Sequence, residues 1–290
     1  MTRVLSALVL IPVVVGTILF LPAELTFVLA IVAAVLAFAE YCGIARALGV
    51  TVPVGIGGAA VVLVAYAMWL DGQQAGPYVD GLPILHSNYA YLVLMAAMTV
   101  AGAVSISRGH PAPAALADAS ATLMAPIYIG LPLGALSAIR GSVGSDAVRS
   151  DFTGPFADGR IVVLLLMATI VISDSAQYYT GRAFGRRKLA PAISPKKTVE
   201  GAIGGVVFGT LAMIVGGHYV FQSPLWVLAI LGAAISLLGI VGDLFESLLK
   251  RSAGLKDSSN LIPGHGGVLD RIDSWLFAAP VYYAFVRFIA

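Results

Sequence analysis

The chain has 290 residues, of which 59% are hydrophobic and 11% are charged. Soluble domains carry about 25% charged residues, so this composition excludes a soluble globular protein and predicts an all-α, polytopic integral membrane protein. The formal net charge of +2 gives no reason to expect a nucleic-acid partner, and the single cysteine, Cys42, excludes an intramolecular disulfide.

A helix that crosses a membrane needs about 20 mostly apolar residues. The first apolar stretch resembles a signal peptide, but no clear small-residue cleavage site follows, so we interpret it as an uncleaved helix. The fifth stretch is interrupted by Asp118 and Pro126, and the ninth is short. We predict about nine spans, at residues 4–21, 25–45, 51–70, 88–107, 115–138, 160–180, 199–218, 225–248 and 274–289.

Lysines and arginines predict the orientation of these spans, because cytoplasmic loops are enriched in both. If the N-terminus is cytoplasmic, 13 of the 17 basic residues lie inside: six in the loop 181–198, four in the loop 249–273 and three elsewhere. We therefore predict a cytoplasmic N-terminus, with both charged loops facing the cytoplasm. Four acids near helix ends would share that face: Glu40, Asp118, Asp174 and Asp243.

The distribution of polar residues predicts two functional regions. Residues 1–160 are poor in polar side chains, and we expect them to form an N-terminal transmembrane scaffold. Residues 161–290 contain both charged loops, and we expect them to form the catalytic transmembrane region.

The end of the eighth span contains ionisable side chains within an apolar stretch. Asp243, Ser247 and Lys250 are spaced i, i+4 and i+7, which places them on one stripe of a helix. A buried carboxylate must be paired or bind a metal, so Asp243 is a candidate ligand. The alternative is a structural helix pair between Glu246 and Lys250, with the lysine extending towards the membrane surface.

A glycine cluster, Gly264-His265-Gly266-Gly267, precedes the last span. Glycines allow consecutive backbone N–H groups to point at an anion, and a helix N-terminus adds partial positive charge. Asp270 and Asp273 should lie on the first turns of this helix. Acids there can be ordinary helix-start residues, but beside glycines and basic residues they favour Mg²⁺ bridging carboxylates and phosphates. His265 is a candidate catalytic residue, with a structural histidine as the alternative.

The loop 181–198 ends in Ser194-Pro195-Lys196-Lys197. Ser194 followed by a proline predicts a helix N-cap and first helical position. Lys196 and Lys197 would then lie in the first turn, where the helix dipole disfavours cations, and this conflict indicates that an anion binds there. In the following span, glycines recur every four residues at 201, 205 and 209, which predicts close approach of another helix.

Several familiar catalytic patterns are absent from the sequence. The glycines satisfy neither the Walker spacing nor the dinucleotide-binding spacing. No set of cysteines and histidines suits zinc, and no Gly-x-Ser-x-Gly elbow occurs. Catalysis by a nucleophilic side chain is therefore not indicated.

Residues 247–273 resemble the signature of the phosphatidate cytidylyltransferases, the CDP-diacylglycerol synthases. That signature reads Ser-x-apolar-Lys-Arg-x4-Lys-Asp-x-small-x2-apolar-Pro-x-His-Gly-Gly-apolar-x-Asp-Arg-apolar-Asp, and this chain meets every specified position. Residues 193–201, Ile-Ser-Pro-Lys-Lys-Thr-Val-Glu-Gly, resemble the second motif of the family.

The resemblance implies an enzyme that transfers a cytidylyl group from CTP to phosphatidic acid, giving CDP-diacylglycerol and pyrophosphate for phospholipid biosynthesis. It implies a Mg²⁺-dependent site, leaves open a second cation such as K⁺, and implies a homodimer. With the orientation predicted from lysine and arginine, we expect the active site to face the cytoplasm from the cell membrane. By motif position, Asp243 and Asp270 are the expected metal ligands. The residues and the resemblance together nominate Lys250, His265 and Asp273 as further catalytic residues, and Ser194, Lys196, Lys197, Arg251, Lys256, Gly266 and Gly267 for binding phosphate or nucleotide.

Two other functions fit parts of the pattern. A CTP-dependent lipid-alcohol kinase would use a similar triphosphate site with a neutral acceptor. A transporter or channel fits less well, because transporters place polar sites near the midplane, often in repeated halves, and this sequence shows no repeat.

Overall fold

The computed structural model describes residues 2–73, 78–79, 82–83, 89–107, 115–142, 158–262, 264 and 266–288. Nearly all of these residues are helical. The helices are α1 Thr2–Phe20, α2 Ala23–Ala47, α3 Val54–Gln73, α4 Tyr89–Ser107, α5 Ala115–Ala125, a π-helical segment Pro126–Gly130, α6 Leu131–Ser142, α7 Gly159–Phe184, α8 Val199–Phe221, α9 Leu225–Ser252 and α10 Leu269–Phe288. Two short antiparallel hairpins complete the described structure: β1 Tyr78–Val79 with β2 Leu82–Pro83, and β3 Lys188–Ala190 with β4 Ser194–Thr198.

Seven helical stretches of the described residues are long and apolar enough to cross a membrane. They are Ala23–Ala47, Val54–Gln73, Tyr89–Ser107, Ala115–Gly141, Gly159–Phe184, Val199–Phe221 and Leu225–Ser252. The prediction of an all-α polytopic membrane protein is confirmed. The first predicted span corresponds to the shorter apolar helix Leu10–Phe20, and α10, which begins with several charged residues, is not among the seven. A total of nine spans and a cytoplasmic N-terminus stay predictions.

The fifth predicted span is a continuous helical path with an irregular centre. Pro126 lacks an N–H group, so one hydrogen bond of a regular α-helix is lost at this position. Five residues, Pro126–Gly130, adopt π-helical geometry instead, and the N–H of Leu131 donates to the carbonyl of Pro126. π-helical segments commonly interrupt α-helices in this way.

The chain forms two compact units. The first unit comprises Met1–Ala138 and Leu249–Arg271. Within it, the Tyr41 hydroxyl on α2 donates to the Ala121 carbonyl on α5 at 2.9 Å. Asp118 is buried on α5 and accepts the backbone N–H of Thr51 at 2.8 Å, so this acid stabilises the entry to α3.

The second unit comprises Ile139–Leu248 and Ile272–Ala290. Its α7 and α8 pack along the predicted glycine stripe: a Cβ at Gly205 would lie 3.0 Å from the Ser173 carbonyl oxygen, and one at Gly209 would lie 3.0 Å from Ser173 Cβ. The prediction that these glycines admit a neighbouring helix is confirmed. The Tyr282 hydroxyl on α10 donates to the Val162 carbonyl on α7 at 2.9 Å.

The predicted helix start at Ser194-Pro195 is wrong. Residues Ser194–Thr198 form β4, which pairs with β3, and α8 begins only at Val199. The actual N-cap is Thr198, whose hydroxyl accepts the N–H of Gly201 at 3.1 Å. Pro195 cannot donate to a strand ladder but is tolerated at the edge of a two-stranded sheet, so the same dipeptide is compatible with either structure.

The predicted division at residue 160 rests on where polar side chains occur in the sequence, whereas the two units are defined by how the chain folds. Helices α9 and α10 each contribute residues to both units. The segment 249–271, which contains most of the signature, belongs to the same unit as residues 1–138. The functional division stays a prediction.

Candidate active site

In the first unit, Lys250 and Asp270 form an ion pair. Lys250 Nζ contacts Asp270 Oδ1, and the two side chains are only 9% and 7% exposed. Lys250 lies in the last turn of α9, and Asp270 lies in the first turn of α10. A buried carboxylate is stable only with a counter-charge and hydrogen bonds, so each side chain depends on the other.

The second oxygen of Asp270 is surrounded by donors. Oδ2 accepts the Ser258 N–H at 2.9 Å, the Ser258 hydroxyl at 2.7 Å and the Gly267 N–H at 2.7 Å. Burial by itself would raise the pKa of Asp270, but the hydrogen bonds from Lys250, Gly267 and Ser258 outweigh it and lower the pKa to about 2. Asp270 is therefore ionised at neutral pH, which is the form that binds a metal ion.

Glycines make this arrangement possible. Gly266 has φ of +79°, and a Cβ there would lie 2.5 Å from Asp270 Oδ2. A Cβ at Gly267 would collide with the side chains of Ser258 and Glu40. The Gly267 N–H donates to the Asp270 carboxylate, which is a group of the protein itself. A role of Gly266 and Gly267 towards nucleotide or pyrophosphate stays a prediction.

Glu40, on α2, is a member of this site whose role the sequence left open. Its Oε1 accepts the Ser259 hydroxyl at 2.7 Å and the Val268 N–H at 2.9 Å. Its Oε2 accepts the Ser258 hydroxyl at 2.9 Å and the Leu269 N–H at 2.8 Å. The available signal was an acid within an apolar helix, which is costly unless it has a specific partner, but its partners lie more than 200 residues away in sequence. We call Glu40, Lys250, Ser258, Gly267 and Asp270 the Asp270 cluster.

The second unit contains another lysine–aspartate pair. Lys197 Nζ, on β4, lies 2.5 Å from Asp243 Oδ2, on α9, and the side chains are 15% and 34% exposed. The Ser247 hydroxyl donates to Asp243 Oδ1 at 3.3 Å, as expected for the predicted i, i+4 stripe. Asp174, on α7, lies within electrostatic reach of both Asp243 and Lys197. We call Asp174, Lys197, Asp243 and Ser247 the Asp243 cluster.

The hairpin that carries Lys197 is tied to the start of α8. Glu200 accepts the backbone N–H of Arg186 at 3.0 Å and that of Arg187 at 3.2 Å, and Val199 donates to the Arg187 carbonyl at 2.9 Å. These bonds fix the basic turn before β3. Ser194 is half-buried on β4, and Lys196 is exposed there.

The remaining predicted site residues have simpler surroundings. Arg251 and Lys256 are exposed in the first unit, and the Arg251 guanidinium donates to the Leu255 carbonyl at 3.0 Å. Asp273 is half-buried in the second unit, and its Oδ1 accepts the Ser274 N–H at 2.7 Å. His265 lies outside the described residues.

The carboxylates of Asp270 and Asp243 suit a metal ion that is bound partly by the protein and partly by a substrate. In the described part of the chain, no three histidine, cysteine, aspartate or glutamate side chains are grouped so that they could hold a metal ion. Mg²⁺ does not need such a cage, because it is commonly held by one or two carboxylates together with substrate phosphates. Asp270 and Asp243, each beside a lysine, fit that mode of binding.

The whole chain matches a known family. The sequence profile described as "Cytidylyltransferase family" matches residues 1–289. The chain belongs to the cytidylyltransferase family. The family resemblance predicted from residues 247–273 and 193–201 is thereby confirmed.

Three individual relatives of this cytidylyltransferase family member show how far the similarity extends along the chain. A Synechocystis protein named phosphatidate cytidylyltransferase is 47% identical over 133 residues, which is 45% of each chain. The uncharacterised Escherichia coli protein YnbB is 46% identical over 132 residues, 45% of this chain and 44% of its own. A Staphylococcus saprophyticus phosphatidate cytidylyltransferase is 34% identical over 210 residues, 72% of this chain and 71% of its own. The chain spans about half the length of the first two relatives and nearly three quarters of the third.

Proposed function

We propose that this protein is a nucleotidyltransferase that transfers the cytidylyl group of CTP to phosphatidic acid, giving CDP-diacylglycerol and pyrophosphate for phospholipid biosynthesis. The observation that carries the proposal is the buried Lys250–Asp270 pair, which lies within the segment that resembles the family signature. The family match over residues 1–289 and the names of two relatives support it.

The proposed reaction requires little help from a nucleophilic side chain. A phosphate oxygen of phosphatidic acid attacks the α-phosphorus of CTP, a new P–O bond forms, and the bond to the bridging oxygen of the β-phosphate breaks. Both reactants are anions, so the main barrier is to bring them together in line. We propose that Lys250 and Lys197, the lysines beside the two carboxylates, help to neutralise phosphate charge. Exposed Arg251 and Lys256 are proposed to bind phosphates as they arrive.

We propose Asp243 and Asp270 as ligands of Mg²⁺. A bound Mg²⁺ would stabilise the negative charge that develops on the phosphates. Asp270 supports this role because its Oδ2 is fixed by three donors while Oδ1 faces Lys250. A second cation such as K⁺ is compatible with Asp174 beside Asp243, because two neighbouring carboxylates repel each other unless a cation balances them.

We propose a cytoplasmic N-terminus and an active site that faces the cytoplasm from the cell membrane. The distribution of lysine and arginine supports this orientation. Because Cys42 is the only cysteine, a Cys42→Ser background permits single-cysteine labelling in cells. A cysteine replacing Lys196 should resist a membrane-impermeant maleimide, whereas one within 143–157 should react. The homodimer implied by the resemblance is tested by the mass of the purified protein in detergent.

The decisive test of the reaction uses CTP labelled at either the α- or the γ-phosphate. Purified protein, mixed micelles of phosphatidic acid and Mg²⁺ should give a lipid that carries the α-label, while the γ-label appears in pyrophosphate. Chelation of Mg²⁺ should stop the reaction, and its return should restore it. Transfer of the γ-label to diacylglycerol or another lipid alcohol would instead identify a kinase and overturn the proposal.

A further inference from the structure

We propose that Glu40 is a positioning residue that orients Asp270 through Ser258 and the turn 267–269. This inference rests on the proposed function, which assigns Asp270 as a metal ligand. It places a determinant of the site in α2, within the region that the sequence predicts to be scaffold.

The hydrogen bonds of Glu40 show that it holds protein groups and is poorly suited to bind a metal itself. Three donors contact Glu40 and not Asp270: the Ser259 hydroxyl and the backbone N–H groups of Val268 and Leu269. A fourth, the Ser258 hydroxyl, is shared with Asp270. These contacts occupy most of the acceptor sites of a carboxylate. By contrast, Asp270 Oδ1 accepts a single donor, the Lys250 ammonium, so this oxygen keeps a lone pair with which it could bind a metal ion.

Ser258 links the two carboxylates. Its hydroxyl oxygen lies 2.9 Å from Glu40 Oε2 and 2.7 Å from Asp270 Oδ2. A hydroxyl has one proton, so it can donate to only one of these oxygens at a time. Glu40, Asp270 and Lys250 together carry two carboxylates and one ammonium. The Glu40 carboxylate therefore adds negative potential beside Asp270, and this favours a divalent cation.

The backbone provides a second link. Val268 and Leu269 donate to Glu40, while the preceding residue, Gly267, donates to Asp270 Oδ2. Three consecutive N–H groups thus serve two carboxylates. Loss of the Glu40 charge would leave the donors at 268 and 269 with a weaker acceptor, and the turn that supports Asp270 would lose its fixed geometry.

Neighbouring serines supply a matched pair of variants. Ser258 and Ser259 each donate to one oxygen of Glu40, but only Ser258 also contacts Asp270. Ser258→Ala and Ser259→Ala remove the same hydroxyl group. Only Ser258→Ala interrupts the connection from Glu40 to Asp270. Asp118→Asn is a further control, because Asp118 is a buried acid of the same unit that accepts the backbone N–H of Thr51.

The experiment measures the binding of Mn²⁺ by electron paramagnetic resonance to the purified full-length protein in detergent, with CTP present and phosphatidic acid absent, because the proposed ion is held by carboxylates together with substrate phosphates. Outer partners of metal ligands typically change metal affinity by about 10–100-fold, and we expect Glu40→Gln and Ser258→Ala to weaken Mn²⁺ binding within that range. Ser259→Ala and Asp118→Asn should bind Mn²⁺ close to the wild-type affinity, even where their thermal stability falls.

Wild-type affinity in a folded Glu40→Gln protein, or equal losses in the two serine variants, would overturn the inference. If Glu40→Gln does not fold, Glu40→Asp replaces it, because the shorter side chain keeps the charge but cannot reach all of the donors that contact Glu40. A failure of the proposed function has a different signature, because the wild-type protein would then not bind Mn²⁺ or would not make the labelled lipid.

Discussion

The two lysine–aspartate pairs of this protein differ in what holds them. In the first unit, the Lys250–Asp270 pair is almost buried, and backbone N–H groups of Ser258 and Gly267 fix the carboxylate. In the second unit, the Lys197–Asp243 pair is more exposed, and Asp243 has a side-chain partner, Ser247. Backbone groups thus fix the position of Asp270, whereas Asp243 is contacted by the side chains of Lys197 and Ser247.

The largest effect should follow Asp270→Asn. We expect activity to fall by more than the roughly 100-fold typical of losing an outer partner of a metal. Stability should fall as well, by about 3–5 kcal/mol, because Lys250 is left buried without its counter-charge. Thermal inactivation in detergent measures the second effect. The double variant Lys250→Met/Asp270→Asn should regain most of the lost stability but no activity, and a double variant as unstable as Asp270→Asn would contradict the pairing.

Asp243→Asn should separate catalysis from stability. Partly exposed ion pairs contribute only about 0–1 kcal/mol, so the thermal inactivation temperature should change little. Cytidylyl transfer should nevertheless be lost, because Asp243 is a proposed metal ligand. Lys197→Met is the partner variant and should be similarly well folded. A loss of stability in Asp243→Asn as large as that in Asp270→Asn would remove the distinction between the two pairs.

A smaller effect is expected where α8 packs in the second unit. A Cβ at Gly209 would collide with the Ser236 hydroxyl on α9. Inserting a methyl group into a packed interface typically costs about 1–3 kcal/mol, so Gly209→Ala should lower the inactivation temperature. Ser236→Ala should partly rescue it, since the colliding hydroxyl is removed. No change in Gly209→Ala would mean that this contact is looser than the structure indicates.

The smallest effect concerns the end of α9 in the first unit. The Gly254 N–H donates to the Arg251 carbonyl and the Leu255 N–H to the Lys250 carbonyl, while Gly254 has φ of +70°. This is the Schellman arrangement, which favours glycine or asparagine. No atom lies within 4 Å of a Cβ built at Gly254, so Gly254→Ala should cost only the backbone strain of about 1–2 kcal/mol. Gly254→Asn should cost less, and an equal cost would contradict a conformational origin.

Local sequence patterns predicted the features that depend on neighbouring residues. The apolar lengths of the spans, the stripe of Asp243 and Ser247, the glycine packing of α8 and the start of the last helix before Asp270 are all of this kind. The N-cap prediction at Ser194 failed because Pro195 suits either a helix start or an edge strand, and pairing with Lys188–Ala190 decided between them. The sequence placed Glu40 near the cytoplasmic face but left its role open, because its partners are set by tertiary structure, which no local spacing encodes.

The long sequence distance between Glu40 and its hydrogen-bond partners also constrains the order in which the first unit can fold. The first unit cannot finish folding until residues 249–271 have left the ribosome, although α2 is among the first segments made. During synthesis, Glu40 on α2 is made long before the residues that donate hydrogen bonds to it. A fragment beginning at residue 161 would contain every position of the signature but would lack the contact of Glu40 with the N–H groups of Val268 and Leu269. Co-expression of residues 1–160 should therefore be needed to restore it.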